Sequence, residues 1–196
     1  SCLNNSETSA KSIAAAIYKE GAGTEKGSGL SGMYGDLSGL KQYTGSSSGV
    51  AGEGAQRLLN VAIGELGNNE ADGTHMKYET FMGFGGADPW CAMFVSWCAN
   101  EAGFIQSGII PKYAACSDGV AFFQGKGSFH REGSGYTPQP GDIIFFGSGG
   151  SSHTGIVEKA DANNVYTIEG NTSDMVARRT HARATGYVYG YGSPAY

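Results

Sequence analysis

The sequence predicts an α+β domain, helices first and strands after, on three observations. From Ala55 to Leu66, apolar residues recur at 55, 58, 59, 62, 63 and 66, the spacing of one helix face. From Trp90 to Ala102 a second, mostly apolar segment runs without internal Gly or Pro. Between residues 140 and 169, short runs rich in branched and aromatic residues alternate with turn residues. Helices and strands segregated along a chain in this way build a sheet covered by helices.

Taken in order, residues 11–20 read as a short helix with Ala14, Ala15, Ile17 and Tyr18 on its apolar side. From Gly21 to Gly54 the chain is dominated by Gly and Ser, with Met33, Tyr34, Leu37, Leu40 and Tyr43 interspersed, and reads as a linker or tether. Residues 1–54 are therefore expected to be an extension and 55–196 the folded domain. The amphipathic helix 55–66 ends at Gly67, and residues 68–87 are read as a loop. Asp88 is expected to cap the next helix, with Pro89 at its first position, where a missing N–H costs nothing, and Gly103 is its stop signal. A long loop, 105–138, follows. Then come three strands, around 143–146, 153–158 and 164–169, joined by the Gly/Ser turn 147–152 and the turn 161–163. An antiparallel meander of these three puts His153, at the start of one strand, beside Glu169, at the end of the next.

Composition narrows the function. The chain has 196 residues and a net charge of −5, with no basic cluster of the kind that neutralises phosphates, so nucleic acid is not expected as a partner. No apolar run reaches the length of a membrane span. The sequence opens at Ser1 without a Met or a signal peptide, and is expected to be a trimmed piece of a longer protein, fused to or following another domain. Of the four cysteines, Cys91 and Cys98 are seven apart on one helix, about 10 Å at 1.5 Å per residue, beyond bridging range. Cys98 is expected to be a buried neighbour and Cys116 a structural residue. No paired short Cys or His spacing suggests zinc.

Chemistry centres on Cys91. A thiol in a helix's first turn sits beside unpaired N–H groups and the positive end of the helix dipole, which favour the thiolate. The other reading is a small buried hydrophobe. A His next to a carboxylate, with a helix-borne Cys at hand, is the layout of an activated thiol nucleophile.

The segments Pro89-Trp90-Cys91-Ala92-Met93-Phe94-Val95-Ser96-Trp97-Cys98, Pro140-Gly141-Asp142-Ile143, Ser152-His153-Thr154-Gly155-Ile156-Val157 and Ile168-Glu169-Gly170-Asn171 resemble the cysteine, histidine-dependent amidohydrolase/peptidase (CHAP) family. The likeness runs from about Ala55 to the last residue and keeps the family's order of Cys, His and Glu-x-Asn. It implies a papain-like, NlpC-type α+β fold, with N-terminal helices on an antiparallel sheet of about five to six strands. It also implies Cys91 as nucleophile, His153 as its base, Glu169 holding and charging His153, and Asn171 assisting orientation. Trp90, Tyr78 and Ser152 are the residues expected at the substrate cleft. The implied substrate is bacterial peptidoglycan, cut at an amide of stem peptide or cross-bridge in an extracellular or cell-wall location. Alternatives are an N-acetylmuramoyl-L-alanine amidase of the same fold, a non-catalytic peptidoglycan-binding or assembly module, and amidotransfer by the same thiol.

No organic cofactor is expected. Some relatives bind calcium near this site, and Asn69, Glu70 and Asp72 are the candidate ligands here, although their spacing does not fit an EF-hand loop. His75, His130 and His181 have no motif partners and are assigned to surface or packing roles. Lowering a thiol pKa by two to four units takes roughly 3–5 kcal/mol, while a helix N-terminus supplies about 0.3–1 kcal/mol, so the remainder must come from His153.

Overall fold

The computed structural model describes residues 51–86 and 88–196. The expected helix at residues 11–20, the Gly/Ser-rich tether and Cys2 lie outside them. Four helices are present among the described residues: α1 (Glu53–Gly64), α2 (Met76–Met82), α3 (Cys91–Glu101) and α4 (Cys116–Gly125). Six strands follow or interleave: β1 (Phe129–Arg131), β2 (Ile143–Phe146), β3 (His153–Ala160), β4 (Asn164–Glu169), β5 (Ala177–Ala182) and β6 (Val188–Gly192). All strand pairs are antiparallel, and the sheet order is β1-β6-β2-β3-β4-β5. This is the α+β layout that the sequence predicts, with an antiparallel sheet of six strands and the meander β2-β3-β4 within it.

Hydrophobic burial decides which face meets which layer. Ile143, Phe145, Ile156 and Ile168 point into the main core, where Leu58 and Leu59 of α1 and Met93, Phe94 and Val95 of α3 cover them. Ile144, Phe146, Val157, Val165, Val188 and Tyr191 form a second, smaller cluster. Strand β2 is buried at all four positions, which is why its sequence is continuously apolar rather than alternating.

Three expectations are corrected. The segment 68–87 is not all loop, because α2 forms within it and ends at Gly83 in a left-handed cap. The segment 105–138 likewise contains α4 and β1. Helix α3 begins at Cys91, not at Pro89. Trp90 occupies the cap position without a side-chain cap bond, and Asp88 is exposed two residues upstream. Among the described residues no helix is long and apolar enough to cross a membrane.

Candidate active site

Cys91 is the first residue of α3 and Cys116 the first residue of α4. Neither helix has a side-chain cap, so the first N–H groups of each lack partners within the helix. The two starts are brought together through Ser96. Its hydroxyl donates to the Tyr113 carbonyl at 2.7 Å and accepts the Tyr113 N–H at 2.8 Å, pinning the strand of chain that leads into α4 against α3. As a result the Cys91 and Cys116 sulfurs lie 3.8 Å apart. Cys116, expected to be merely structural, is thus a direct neighbour of the candidate nucleophile.

Strand β3 supplies the other side. The His153 imidazole and the Thr154 backbone N–H both lie near enough to the Cys91 sulfur to favour its thiolate. His153 Nε2 meets Glu169 Oε2 at 2.8 Å. Glu169 ends β4, one strand over, and its carboxylate is buried. With Nε2 held by Glu169, Nδ1 is the ring nitrogen left for the thiol.

The charges follow from these contacts. The Cys116 thiol, donating to Cys91, together with the bond and charge of His153 and the Thr154 N–H, outweighs burial and lowers the Cys91 thiol to about 5. The Cys116 thiol is pushed far up by the adjacent Cys91 and by burial. Burial alone would lower His153, but Cys91 and Glu169 raise it to about 9. Burial would raise Glu169, but hydrogen bonds from His153, His181 and Thr167 bring it to about 2. Around neutral pH the arrangement is a thiolate and an imidazolium backed by a carboxylate, suited to attack on an electrophilic carbonyl followed by proton delivery to a leaving amine.

Asn171 lies two residues past β4 in a left-handed backbone conformation. Among the described residues no hydrogen bond joins it to His153. It lines a depression of about 220 Å³ with Glu70, His75, Glu79, Asp88 and Pro89. A larger depression of about 770 Å³, lined by Arg131, Glu132, Ser148, Val188 and Tyr189 among others, contains none of the four catalytic candidates.

Ser152 is exposed directly before His153, at the rim of the site. Trp90 and Tyr78 are not there. Trp90 is 1% and Tyr78 0% exposed, too deep to touch a substrate. They stack at 5.3 Å behind α3. Trp90 Nε1 donates to Glu70 Oε1 at 2.9 Å, and the Tyr78 hydroxyl donates to Glu65 Oε2 at 2.6 Å. Asn68 and Lys77 complete this network on Glu65. It fixes the start of α3 from behind.

The calcium candidates do not converge on one point. Glu70 is turned to Trp90, while Asn69 and Asp72 bond each other and Asp72 Oδ1 accepts the N–H and hydroxyl of Thr74. Those Thr74 bonds hold Asp72 below the usual carboxylate range. Among the described residues no group of three or more His, Cys, Asp and Glu is arranged to hold a metal ion.

Two residues near the site escaped the sequence. His181 on β5 bonds Glu169 Oε1 through Nε2 at 2.6 Å. Tyr187, half exposed, stacks on Phe146 at 5.2 Å, and Phe146 in turn packs against His153 and His181. His75 and His130 do have packing roles, against Trp90 and Tyr136 respectively.

Residues 83–171, which carry Cys91, His153, Glu169 and Asn171, match the family model described as the CHAP domain. Over that span the chain is similar to the CHAP domain. No curated protein matches it in sequence. Among solved structures, the peptidoglycan hydrolase RipB from Mycobacterium tuberculosis is similar at 14% identity and a TM-score of 0.44, over 100% of this chain and 88% of that one. Ly7917 is similar at 18% identity and a TM-score of 0.45, over 71% of this chain. This chain spans 62% of Ly7917. RipA, a Resuscitation Promoting Factor Interacting protein, is similar at 17% identity and a TM-score of 0.42, over 76% and 68%. The CHAP match starts eight residues before Cys91 and so leaves out α1 and α2, which pack against α3.

Proposed function

We propose that this domain is a CHAP-type peptidoglycan hydrolase that cuts an amide bond of the stem peptide or cross-bridge, with Cys91 as nucleophile. The observation that carries the reading is the buried Glu169 carboxylate holding the His153 imidazole at 2.8 Å, on the strand that faces the Cys91 thiol at the start of α3. Supporting it are the CHAP match and the description of RipB as a peptidoglycan hydrolase.

The Cys91 thiolate attacks the amide carbonyl carbon, and the carbonyl oxygen takes the negative charge. The Cys91 N–H, first in its helix and without an intrahelical acceptor, is available to that oxyanion. As the tetrahedral adduct collapses, the C–N bond breaks and His153 gives its proton to the departing amine. A thioester remains on Cys91. Water then attacks it, losing a proton to His153, and the acid product leaves as the Cys91–His153 ion pair is restored. Asn171 borders the substrate path in this reading, and Glu169 alone orients His153. Activity on the wall would put the protein at or outside the cell surface.

The test is digestion of purified sacculi, with mass spectrometry of the fragments released. Shortened stems or opened cross-bridges are expected, and Cys91→Ala should release none while keeping the fold. Intact stem peptides with a free N-terminal alanine would instead mean an amidase. Clearing by folded Cys91→Ala above a tenth of wild type would overturn the assignment of the nucleophile.

A further inference from the structure

One carboxylate in this site serves two imidazoles. Glu169 Oε2 faces His153 Nε2 at 2.8 Å, while Oε1 faces His181 Nε2 at 2.6 Å and also accepts the Thr167 hydroxyl at 2.5 Å. Held near a pKa of about 2, Glu169 is a carboxylate throughout the working range and can only accept. Both Nε2 atoms therefore carry a hydrogen, which fixes the tautomer of His181 when it is neutral.

Ladder parity explains the placement. Thr167 pairs with Arg179 and Glu169 with Ala177, so residues 167, 169, 179 and 181 share one face of the sheet. On that face Phe146 packs its ring 4.6 Å from His181, and the Tyr187 ring lies 6.3 Å from it. Other charged groups nearby are turned away. Arg179 bonds Thr172 and Ser173, and Arg183 reaches the Tyr136 and Asp161 carbonyls and Glu132. Tyr187 faces the pair from the loop before β6, its hydroxyl held above its usual value by burial and by the negative Glu169 and Cys91. The ionisable groups acting on Glu169 are thus His153, His181, Tyr187 and, through His153, Cys91.

We propose that His181 is a positioning residue for the reaction, the second clamp that holds the Glu169 carboxylate so that its other oxygen meets His153. The Thr167 hydroxyl also holds Oε1, but its O–H can swing with the carboxylate, whereas the His181 ring, packed on Phe146, presents its N–H in a fixed direction. With that N–H on Oε1 and His153 on Oε2, the carboxylate plane is set, and with it the angle at which His153 meets Cys91. The same N–H stabilises the Glu169 charge, which keeps His153 protonated and Cys91 ionised. This inference rests on the Cys91–His153 reading above, and its test separates the two.

His181→Phe keeps a ring against Phe146 and removes the donor, whereas His181→Gln keeps a donor and removes the ring. The readouts are the rate of iodoacetamide labelling at Cys91 across about pH 4 to 10, and the dependence of wall hydrolysis on wall concentration. In His181→Phe the labelling window should narrow from both sides. The maximal rate should fall by at least about tenfold with the half-saturating concentration unchanged. His181→Gln should recover most of both. If His181→Phe does not fold by near-UV circular dichroism, His181→Met takes its place. A folded donor-free variant with the wild-type window and rate overturns the inference, as does a His181→Gln no better than His181→Phe. Wild-type Cys91 that labels like an ordinary thiol overturns instead the Cys–His reading beneath it.

Discussion

Gly155 and Glu169 interlock. The Glu169 side chain crosses β3 over Gly155, so closely that a Cβ there would stand 2.6 Å from Glu169 Cγ and 3.1 Å from the Ile168 carbonyl oxygen. The absent side chain is what lets a carboxylate on β4 reach His153, two residues before Gly155 on β3.

Gly155→Ala should accordingly displace Glu169 rather than the fold as a whole. Overpacking of this kind costs roughly 1–3 kcal/mol. Hydrolysis should fall by at least about tenfold while the melting transition remains cooperative. Full activity in Gly155→Ala would show that Glu169 does not need this path.

Activity should follow a bell in pH. The reactive ion pair forms as Cys91 ionises near 5 and is lost as His153 deprotonates near 9. Initial rates of wall clearing at constant ionic strength measure both limbs. A single limb near pH 8.5, the ordinary thiol value, would contradict the ion pair.

Cys116 governs the acidic limb. Its thiol is the largest of the influences that lower Cys91. Removing that donor in Cys116→Ala should raise the Cys91 pKa and move the acidic limb toward neutrality. Cys116→Ser, which keeps an O–H donor, should leave it near the wild-type position. The pH–rate profiles of the two variants decide it. Cys98→Ala, at a fully buried thiol on the same helix, should leave the profile unmoved.

Asp142 predicts a pH dependence of stability with the opposite sign to Glu169. Burial, opposed by bonds from Gln139, Tyr136 and Ser193, raises Asp142 to about 6. A raised folded-state pKa contributes stability that is full below the unfolded value near 3.9 and lost as pH rises through about 6. Glu169, lowered to about 2, contributes above the unfolded value of about 4.3 and loses its effect only as pH falls toward 2. Asp142→Asn retains an oxygen to accept the Tyr136 hydroxyl and the Gln139 N–H, both of which go to Oδ2. The melting temperature of the wild type, relative to Asp142→Asn, should drop between about pH 4 and 7. A constant difference over that range would refute the burial argument.

The elements that sequence made legible are those with one strong local signal. Helix α1, with its periodic apolar face, and β2 to β4, with branched runs between turns, fall within a few residues of expectation. Helix α4 was hidden by Gly119 in its middle, a poor helix former. Its small size is needed because a Cβ would lie 2.8 Å from both Phe145 and Tyr113. At the site, Cys91, His153 and Glu169 were readable because a helix start and a three-strand meander place them by local rules. Cys116 and His181 were not. Their positions depend on the Ser96–Tyr113 clasp and on the β4–β5 register, both set by contacts far apart in sequence. Trp90 and Tyr78 were misplaced because an aromatic beside a nucleophile reads the same whether it faces the cleft or the core.

The sheet order has a consequence for how the domain assembles. Strand β6 inserts between β1 and β2, and Tyr196 beyond it packs on Phe104 and donates to the Gly141 carbonyl at 2.6 Å. Strands β2 to β5 are sequential neighbours that can zip as they leave the ribosome. Strand β1 has no partner until residues 188–192 arrive, after a wait of some sixty residues. Closure of that long loop makes β6 insertion the natural slow step of folding. A chain halted before Val188 would hold Cys91, His153 and Glu169 in a sheet without β6, so the site is expected to be complete only once that strand is in place.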